Sequence, residues 1–178
     1  NSNSTDITFY GYLYNWPAVM NGAASSNANP SGVQGVCPDG WHVPSTAEWE
    51  SLMTYMNSQS QYVCQSGYTD SFAKSLADSV AWATHTQTCA VGNNLSENNA
   101  TGFSARPAGY MSIKFGNTPT ILNPINFGYN ALFWSATEAV LPTGQVGGGG
   151  YNIEYSNPSF FSSSASKYYG RSVRCVRD

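Results

Sequence analysis

Four cysteines constrain the fold of this chain more than any other feature of its sequence. They are Cys37, Cys64, Cys89 and Cys175, separated by 27, 25 and 86 residues, so no C-x-x-C pair is present. This spacing excludes a zinc ribbon and a thioredoxin-type redox site. An even number of cysteines in a chain with few charges indicates disulfides formed in an oxidising, extracellular compartment.

Four cysteines allow three disulfide connectivities, and another alternative is that some of them are buried free thiols. We expect Cys37 to pair with Cys175, tying an early strand to the last one. We expect Cys64 to pair with Cys89 across a local loop. The first bridge would close a loop of more than about 100 residues, for which chain entropy predicts about 4–5 kcal/mol of stabilisation.

The composition indicates one globular domain spanning residues 1–178. Hydrophobic residues make up 41% of the chain and aromatic residues 14%, which suffices for a sizeable core and excludes a disordered chain. Charged residues make up only 10%, and the net charge is −3. That balance excludes the broad basic surface needed by a nucleic-acid binder. No apolar run is long enough for a membrane span, so we expect no membrane insertion by this chain.

Uncharged polar residues take the place of charged ones. The chain has 24 serines, 17 asparagines and 12 tyrosines, a composition typical of recognition surfaces and also of a neutral secreted domain with many turns. In the stretch 151–170, 15 of 20 residues are Ser, Tyr, Phe, Asn or Gly. We expect the adjacent Phe160 and Phe161 to lie exposed in a loop there as binding anchors. The alternative is that they close one end of the core.

Local patterns predict two early helices. Ser45 and Glu48 form a capping box, and apolar residues follow at helical spacing at Trp49, Leu52, Met53 and Met56. A second helix is predicted to start at Thr69 or Asp70, with inward-facing side chains at Phe72, Ala73, Leu76 and Val80.

Strands are predicted at both ends of the chain. An aromatic, β-prone stretch covers 7–16, and later pieces lie near Phe103 and at 110–115, 132–135, 151–155 and 172–176. The run Gly147–Gly150 is interpreted as a flexible turn. Helices early and strands late favour an α+β fold.

The sequence lacks the common catalytic and metal-binding motifs. There is no G-x-S-x-G, H-E-x-x-H or phosphate-binding glycine loop, and no calcium loop. His42 lies in an apolar strand and is interpreted as a structural residue, His85 as a surface residue and Glu48 as a helix cap. We therefore expect no catalytic residue, no metal and no cofactor.

Several phrases, in order, resemble the major paralogous domain first described in Fibrobacter succinogenes and abundant in Bacteroidetes. They are YGYLYNW from Tyr10, GVCPDGWHVPSTAEW from Gly35, GFSARPAGY from Gly102, FWSATE from Phe133 and SVRCVRD from Ser172. The resemblance covers about residues 10–178. Cys64 and Cys89 look like additions to the family pattern.

That family is similar to the C-type-lectin-like and formylglycine-generating-enzyme fold. The resemblance implies two helices packed on a twisted antiparallel sheet with long loops. The phrase VPSTAEWE from Val43 looks like the enzyme's LPTEAEWE, but the enzyme needs a reactive cysteine pair close to its end. This sequence offers Cys175 alone there, so the resemblance implies the fold without the oxidase activity.

Domains with a similar ending serve as variable proteins of diversity-generating retroelements in phages and gut bacteria. These systems mutate adenines, so that asparagine codons scatter to Ser, Tyr, Phe, Gly, Asp and Thr. The resemblance implies a variable, ligand-binding part at about 126–170. Its candidate contact residues are Tyr129, Asn130, Phe133, Tyr151, Asn152, Glu154, Ser156, Asn157, Ser159, Phe160, Phe161, Ser162, Tyr168 and Tyr169.

The sequence therefore predicts a non-catalytic receptor-binding or adhesin domain on a bacterial surface or a phage particle. Its expected partner is a protein or glycan on another cell surface. The alternative within the family is an ordinary structural or calcium-independent glycan-binding module. A calcium-dependent lectin would need an acidic cluster that the sequence lacks, and a formylglycine-type oxidase would need a redox-active thiol pair.

Overall fold

The computed structural model describes residues 8–64, 67–114, 120–121 and 125–178. Residues 8–10 are helical, and the helices after them are α1 (Trp16–Met20), α2 (Thr46–Ser58) and α3 (Ala73–Leu76), with a 3₁₀ turn at Leu95–Glu97. Its strands are β1 (Trp41–His42), β2 (Ile113–Lys114), β3 (Thr120–Ile121), β4 (Asn130–Val140), β5 (Val146–Glu154), β6 (Phe161–Ala165) and β7 (Val176–Arg177). The chain is thus α+β, with more strand than helix. No helix of the described residues is long and apolar enough to cross a membrane.

The main sheet has three antiparallel strands in the order β4-β5-β6, with β5 in the centre. Two smaller antiparallel pairs join β1 to β7 and β2 to β3. Trp134 on β4, Gly150 on β5 and Ser163 on β6 share one row of the main sheet. Because side chains alternate along a strand, Phe133 and Tyr151 lie on one face, and Trp134 and Gly150 lie on the other. We call these the first face and the second face.

Helix α2 begins where the sequence predicts. The Glu48 amide donates to Ser45 Oγ (3.2 Å), and the Ser45 amide donates to Glu48 Oε2 (2.9 Å), which together form a capping box. Trp49 and Met56 are buried, and the helix contacts β4 and β5. The helix therefore covers the first face of the sheet.

The second predicted helix is much shorter than expected. Phe72, Ala73 and Leu76 are buried as predicted, but α3 ends at Leu76 and Val80 is exposed. The amide of Asp78 donates to the carbonyl of Ala105 (2.8 Å), so the chain leaves the helix to pair with a distant segment. A long-range backbone bond overrides the local helical pattern here.

The strand predicted over 7–16 is wrong for the described residues. Residues 8–10 are helical, and Ile7 lies outside the described part of the chain. Only Tyr14 forms a strand-like bridge, with Arg171. Asn15 caps α1 by accepting from the Ala18 amide (2.9 Å), and Pro17 occupies the first turn. The cap and the proline favour a helix start over strand propensity.

The later strand predictions are partly confirmed. The stretch 132–135 lies in β4, most of 151–155 lies in β5, and Val176 lies in β7. Within 110–115 the structure has β2 and a bridge at Tyr110, whereas residue 115 lies outside the described part. Phe103 is not in a strand, and β6 falls in the serine-rich segment interpreted as a loop.

The run Gly147–Gly150 is not a turn but part of the central strand β5. A Cβ at Gly148 would lie 2.5 Å from Trp16 Cδ1 and 2.9 Å from Trp134 Cζ3. A Cβ at Gly150 would collide with the Phe133 carbonyl and lie 3.0 Å from Arg171 Nη1. These glycines allow bulky groups to lie directly on the second face.

Two hydrophobic clusters pack on the two faces. The cluster on the first face includes Trp49, Phe72, Phe133, Tyr151, Ile153 and Phe160. The cluster on the second face includes Trp16, Val19, Met20, Trp134 and Ala136. The sheet therefore forms the middle layer between two separate cores.

Both expected disulfides are present. Cys37 pairs with Cys175, with Cα atoms 5.8 Å apart, and Cys64 pairs with Cys89, at 5.7 Å. No cysteine is free. The first bridge links the segment before β1 to the residue directly before β7, so it holds together the two segments that form this strand pair. Two disulfides indicate folding in an oxidising, extracellular environment.

Candidate functional site

The structure divides the candidate contact residues into a buried set and an accessible set. Phe133, Tyr151 and Phe160 are 4%, 2% and 0% exposed, and Asn152 is also buried. The Tyr151 and Phe160 rings stack at 5.2 Å, and the Trp49 ring lies within 5.8 Å of all three aromatic rings. The expectation that these four residues line an exposed surface is therefore corrected. Phe160 closes the core because the serine-rich segment pairs as β6 instead of forming a loop.

The other candidates are at least partly accessible to solvent. Tyr129 and Tyr168 are 46% and 55% exposed. The full accessible set is Tyr129, Asn130, Glu154, Ser156, Asn157, Ser159, Phe161, Ser162, Tyr168 and Tyr169.

The accessible candidates lie in two places. Tyr129 and Asn130 meet the end of β5, where the Tyr155 amide donates to the Tyr129 carbonyl (2.8 Å). There the Tyr129 and Tyr155 rings lie 4.9 Å apart edge to face, and the His85 ring contacts Tyr155 at 5.5 Å. The second place is β6 and the turn after it, which carries Tyr168 and Tyr169.

A groove of about 500 Å³ lies beside the second place. We call it the sheet groove, since one wall is Leu132 on the second face of the sheet. Its lining residues are Tyr110, Leu132, Leu141, Pro142, Thr143, Gln145, Ser164, Ala165, Ser166, Tyr169 and Arg171. Only Tyr169 among them belongs to the sequence-predicted contact set. The groove is within the size range of small-ligand sites.

Arg171 is the charged residue of this groove. Its guanidinium lies 4.7 Å above the Trp134 ring, and Nη1 donates to Ser163 Oγ (2.8 Å). Ser163 Oγ in turn donates to Asn152 Oδ1 (2.9 Å). Gly150 makes this arrangement possible because it presents no Cβ to the guanidinium. Paired backbone bonds with Tyr14, of 2.9 and 3.0 Å, hold the Arg171 main chain in place.

The Arg171 side chain is only 4% exposed, and within the described part of the chain its Nε has no hydrogen-bond partner. Burial lowers the pKa of Arg171 to about 10, against which the neighbouring Tyr110 and Tyr169 act to raise it. The guanidinium therefore still carries its charge at neutral pH.

No sequence motif marks Arg171 or Tyr110 as a site residue. Arg171 directly precedes the SVRCVRD phrase and is one of only seven Lys and Arg residues in the chain. A cation next to a stretch rich in Tyr and Ser was the available signal, and Lys167 and Arg174 share it. That signal does not tell which way the side chain points. The groove is formed by residues from distant segments, so only the fold shows it.

His42 is the structural residue that the sequence predicts. Its Nε2 contacts Glu48 Oε1 and its Nδ1 contacts Asp178 Oδ1, both at 2.6 Å. Burial by itself lowers the pKa of His42, but the hydrogen bonds and charges of Glu48 and Asp178 outweigh it and raise the pKa above 6.5. With both ring nitrogens engaged by carboxylates, His42 has no lone pair available to accept a proton from a substrate. Glu48 thus serves both the helix cap and this buried ion pair.

His85 is partly buried and not a plain surface residue. Its Nδ1 accepts from the Gln87 amide (3.2 Å), and its ring packs against Tyr155. Within the described ranges no group of three or more His, Cys, Asp and Glu side chains could hold a metal ion. The absence of a metal and of a cofactor stays a prediction.

Comparison with known proteins identifies the family. The model of the Fibrobacter succinogenes major domain matches residues 1–177. No curated protein and no solved structure matches the chain. Because the family match covers nearly the whole chain, including β1, the main sheet, both disulfides and the sheet groove, this chain belongs to the Fibrobacter succinogenes major domain family.

Proposed function

We propose that this chain is a non-catalytic ligand-binding domain that acts as a receptor-binding or adhesin module. One observation carries the proposal: the C-terminal half separates a buried aromatic framework from an accessible polar and tyrosine-rich set. Phe133, Tyr151 and Phe160 hold the framework, while Tyr129 and Tyr168 expose about half of their surface. Members of this set that belong to neither core cluster, such as Tyr168 and Ser162, can change without disturbing the core. Tyr, Ser and Asn are the residue types that adaptable binding surfaces use.

We further propose that the domain has a C-type-lectin-like fold and is the hypervariable target of a diversity-generating retroelement. A gut bacterium or a phage is the expected source, and the domain would sit on the cell surface or the phage particle. The partner would be a protein or glycan on another cell. The accessible set supports this idea, since its Tyr, Ser, Asn and Phe residues are those that adenine mutation of asparagine codons produces.

The alternative is a calcium-independent glycan-binding module of the same family without hypervariability. The sheet groove favours it, because a groove of about 500 Å³ lined by tyrosines and hydroxyl groups suits a small polar ligand. Both functions are binding functions and differ in whether the surface varies between copies.

The test is to sequence the DNA that flanks the 3′ end of the gene. A template copy that differs only at adenines, next to a reverse-transcriptase gene, is the expected result. The differences should fall at codons of accessible residues such as Tyr129, Ser162 and Tyr168. They should spare the buried residues Trp134 and Tyr151, which serve as internal controls. Absence of a template and of a reverse transcriptase would reject hypervariability, and substitutions concentrated at the buried codons would reject the proposed surface.

A binding measurement tests the adhesin role separately. The labelled domain would be applied to a panel of gut bacterial cells and counted by flow cytometry. The double change Tyr129→Ala and Tyr168→Ala should reduce the bound fraction, whereas Tyr55→Ala, at an exposed tyrosine on α2, should not. Equal binding by both variants would reject the C-terminal surface as the contact site.

A further inference from the structure

Arg171 places a positive charge in the wall of the sheet groove, and it has no anionic partner among the described residues. The ion pairs among the described residues involve His42, Arg106 and Lys167, but not Arg171. Arg106, for comparison, pairs with Asp78 at 2.9 Å. A buried charge without a counterion is costly, because hydration is lost and, at Arg171, the replacements are the Trp134 ring and one hydroxyl group, both uncharged. An anion bound in the groove would supply the attraction of a counterion.

The rest of the groove is suited to a sugar ring. The Tyr110 and Tyr169 rings lie nearly parallel, 5.8 Å apart, and both belong to the lining. Aromatic faces pack against the C–H groups of a pyranose, and tyrosine adds a hydroxyl that can hydrogen-bond. Thr143, Gln145 and Ser164 add further donors and acceptors to the lining.

We propose that the sheet groove binds a carboxylated sugar, with Arg171 facing the carboxylate and Tyr110 and Tyr169 packing on the ring. The inference rests on the proposed ligand-binding function and names its substrate class. A charged hydrogen bond between guanidinium and carboxylate is about twice as strong as a neutral one, so the acid group dominates the selectivity. An acidic peptide could reach the same arginine, but Asp and Glu side chains carry no ring that could pack on Tyr110 and Tyr169.

The wild-type domain tests this without any substitution. Isothermal titration would compare digalacturonic acid and N-acetylneuraminic acid with the methyl esters of each, which keep the sugar shape and lose the charge. At least one acid should bind about tenfold more tightly than its ester, which is about 1.4 kcal/mol. Hexaglutamate serves as the peptide competitor and should bind more weakly than that acid. Equal affinities of acid and ester, no binding of either acid, or tighter binding of hexaglutamate would overturn the proposal.

Two variants locate the site. Arg171→Gln should abolish the difference between acid and ester, whereas Arg177→Gln, at an exposed arginine on β7, should preserve it. Because Arg171 also packs on Trp134, a second variant avoids that contact: Thr143→Trp places a bulky ring at an exposed rim position of the groove. It should reduce acid binding at least tenfold with unchanged folding by circular dichroism. Unchanged acid binding in Thr143→Trp would overturn the assignment to this groove.

This test and the test of the proposed function fail separately. Flanking DNA and cell binding examine the adhesin role without any sugar, while the titration examines one ligand class in one groove. If the domain adheres to cells through Tyr129 and Tyr168 but does not bind the acid, only the proposed binding of a carboxylated sugar is rejected.

Discussion

On the first face of the main sheet, β5 contributes Tyr151 and Ile153, whereas on the second face the same strand contributes Gly148, Gly150 and Asn152. The first face is filled by interlocking aromatic rings supplied by α2 and the strands. The second face instead receives Trp16, Trp134 and the Arg171 guanidinium directly against the strand backbone. One strand thus contributes large apolar side chains to the core on the first face. On the second face it contributes glycines, which let Trp16, Trp134 and Arg171 approach its backbone.

The comparison shows that the residues that look most like binding anchors need not be accessible. Phe160, adjacent to a run of serines, is a core residue, whereas Arg171 reaches a groove although it is nearly fully buried. Packing on the first face fixes the sheet, and that fixed sheet positions the charged group on the second face.

Phe160→Ala should have the largest effect, since it empties the centre of the first face. Loss of a fully buried phenylalanine costs about 4 kcal/mol of unfolding free energy, measured by urea denaturation. The neighbouring Phe161→Ala is the matched control, because Phe161 is only partly buried. It should cost about 1 kcal/mol or less. Similar losses of unfolding free energy in the two variants would contradict the finding that Phe160 is fully buried and Phe161 only partly buried.

Gly148→Ala should come next, because it inserts a methyl group into the second face. The new Cβ would overlap Trp16 and Trp134, and such overpacking costs about 2–3 kcal/mol. Gly149→Ala, one residue on and facing the other way, meets its nearest atom at 3.0 Å and should cost about 1 kcal/mol. Neither glycine has a positive φ, so the difference reports space alone. A loss at Gly149 equal to that at Gly148 would remove the contrast between the faces.

A smaller effect is expected from His42, which ties the start of α2 to Asp178 beyond β7. Because the folded pKa of His42 is raised above 6.5, its contribution is complete below pH 6.5 and is lost as pH rises through the folded pKa. Urea unfolding between pH 6 and 9 should show this loss of stability while the carboxylates stay ionised.

The variant His42→Gln should flatten that pH dependence. His85→Gln is the control, since His85 contacts no carboxylate among its hydrogen-bond partners in the described chain. If wild type and His42→Gln show the same slope of stability against pH, the ion pair with Glu48 and Asp178 does not contribute to the fold.

The smallest effect belongs to the accessible set. Tyr168→Ala and Ser162→Ala should each change the unfolding free energy by less than about 0.5 kcal/mol, because neither side chain belongs to a core cluster. Thermal unfolding followed by circular dichroism would measure this. A loss of 2 kcal/mol or more, as is typical of core truncations, would place these residues in the framework of the sheet.

Sequence patterns gave good predictions where the structure depends on neighbours in the chain. The capping box at Ser45 and Glu48 acts over three residues, and α2 begins there as predicted. The prediction of Gly147–Gly150 as a turn was wrong because it weighed only glycine's local flexibility. In the fold, close approach of Trp16 and Trp134 requires glycine at that place, and neither tryptophan adjoins the run in sequence.

The sequence by itself determined the family, the α+β class and the start of the long helix, which depend on ordered motifs and on short-range hydrogen bonds. The even number of cysteines predicted disulfides, but the choice among three possible connectivities was settled by the fold. Only the tertiary structure decided which aromatic residues are buried and where Arg171 lies. Strand register causes this, since pairing Trp134 with Gly150 and Gly150 with Ser163 sets the face of every neighbouring side chain. A shift by one residue would exchange the side chains that the strand presents to the two faces, and no local pattern in β5 specifies that register.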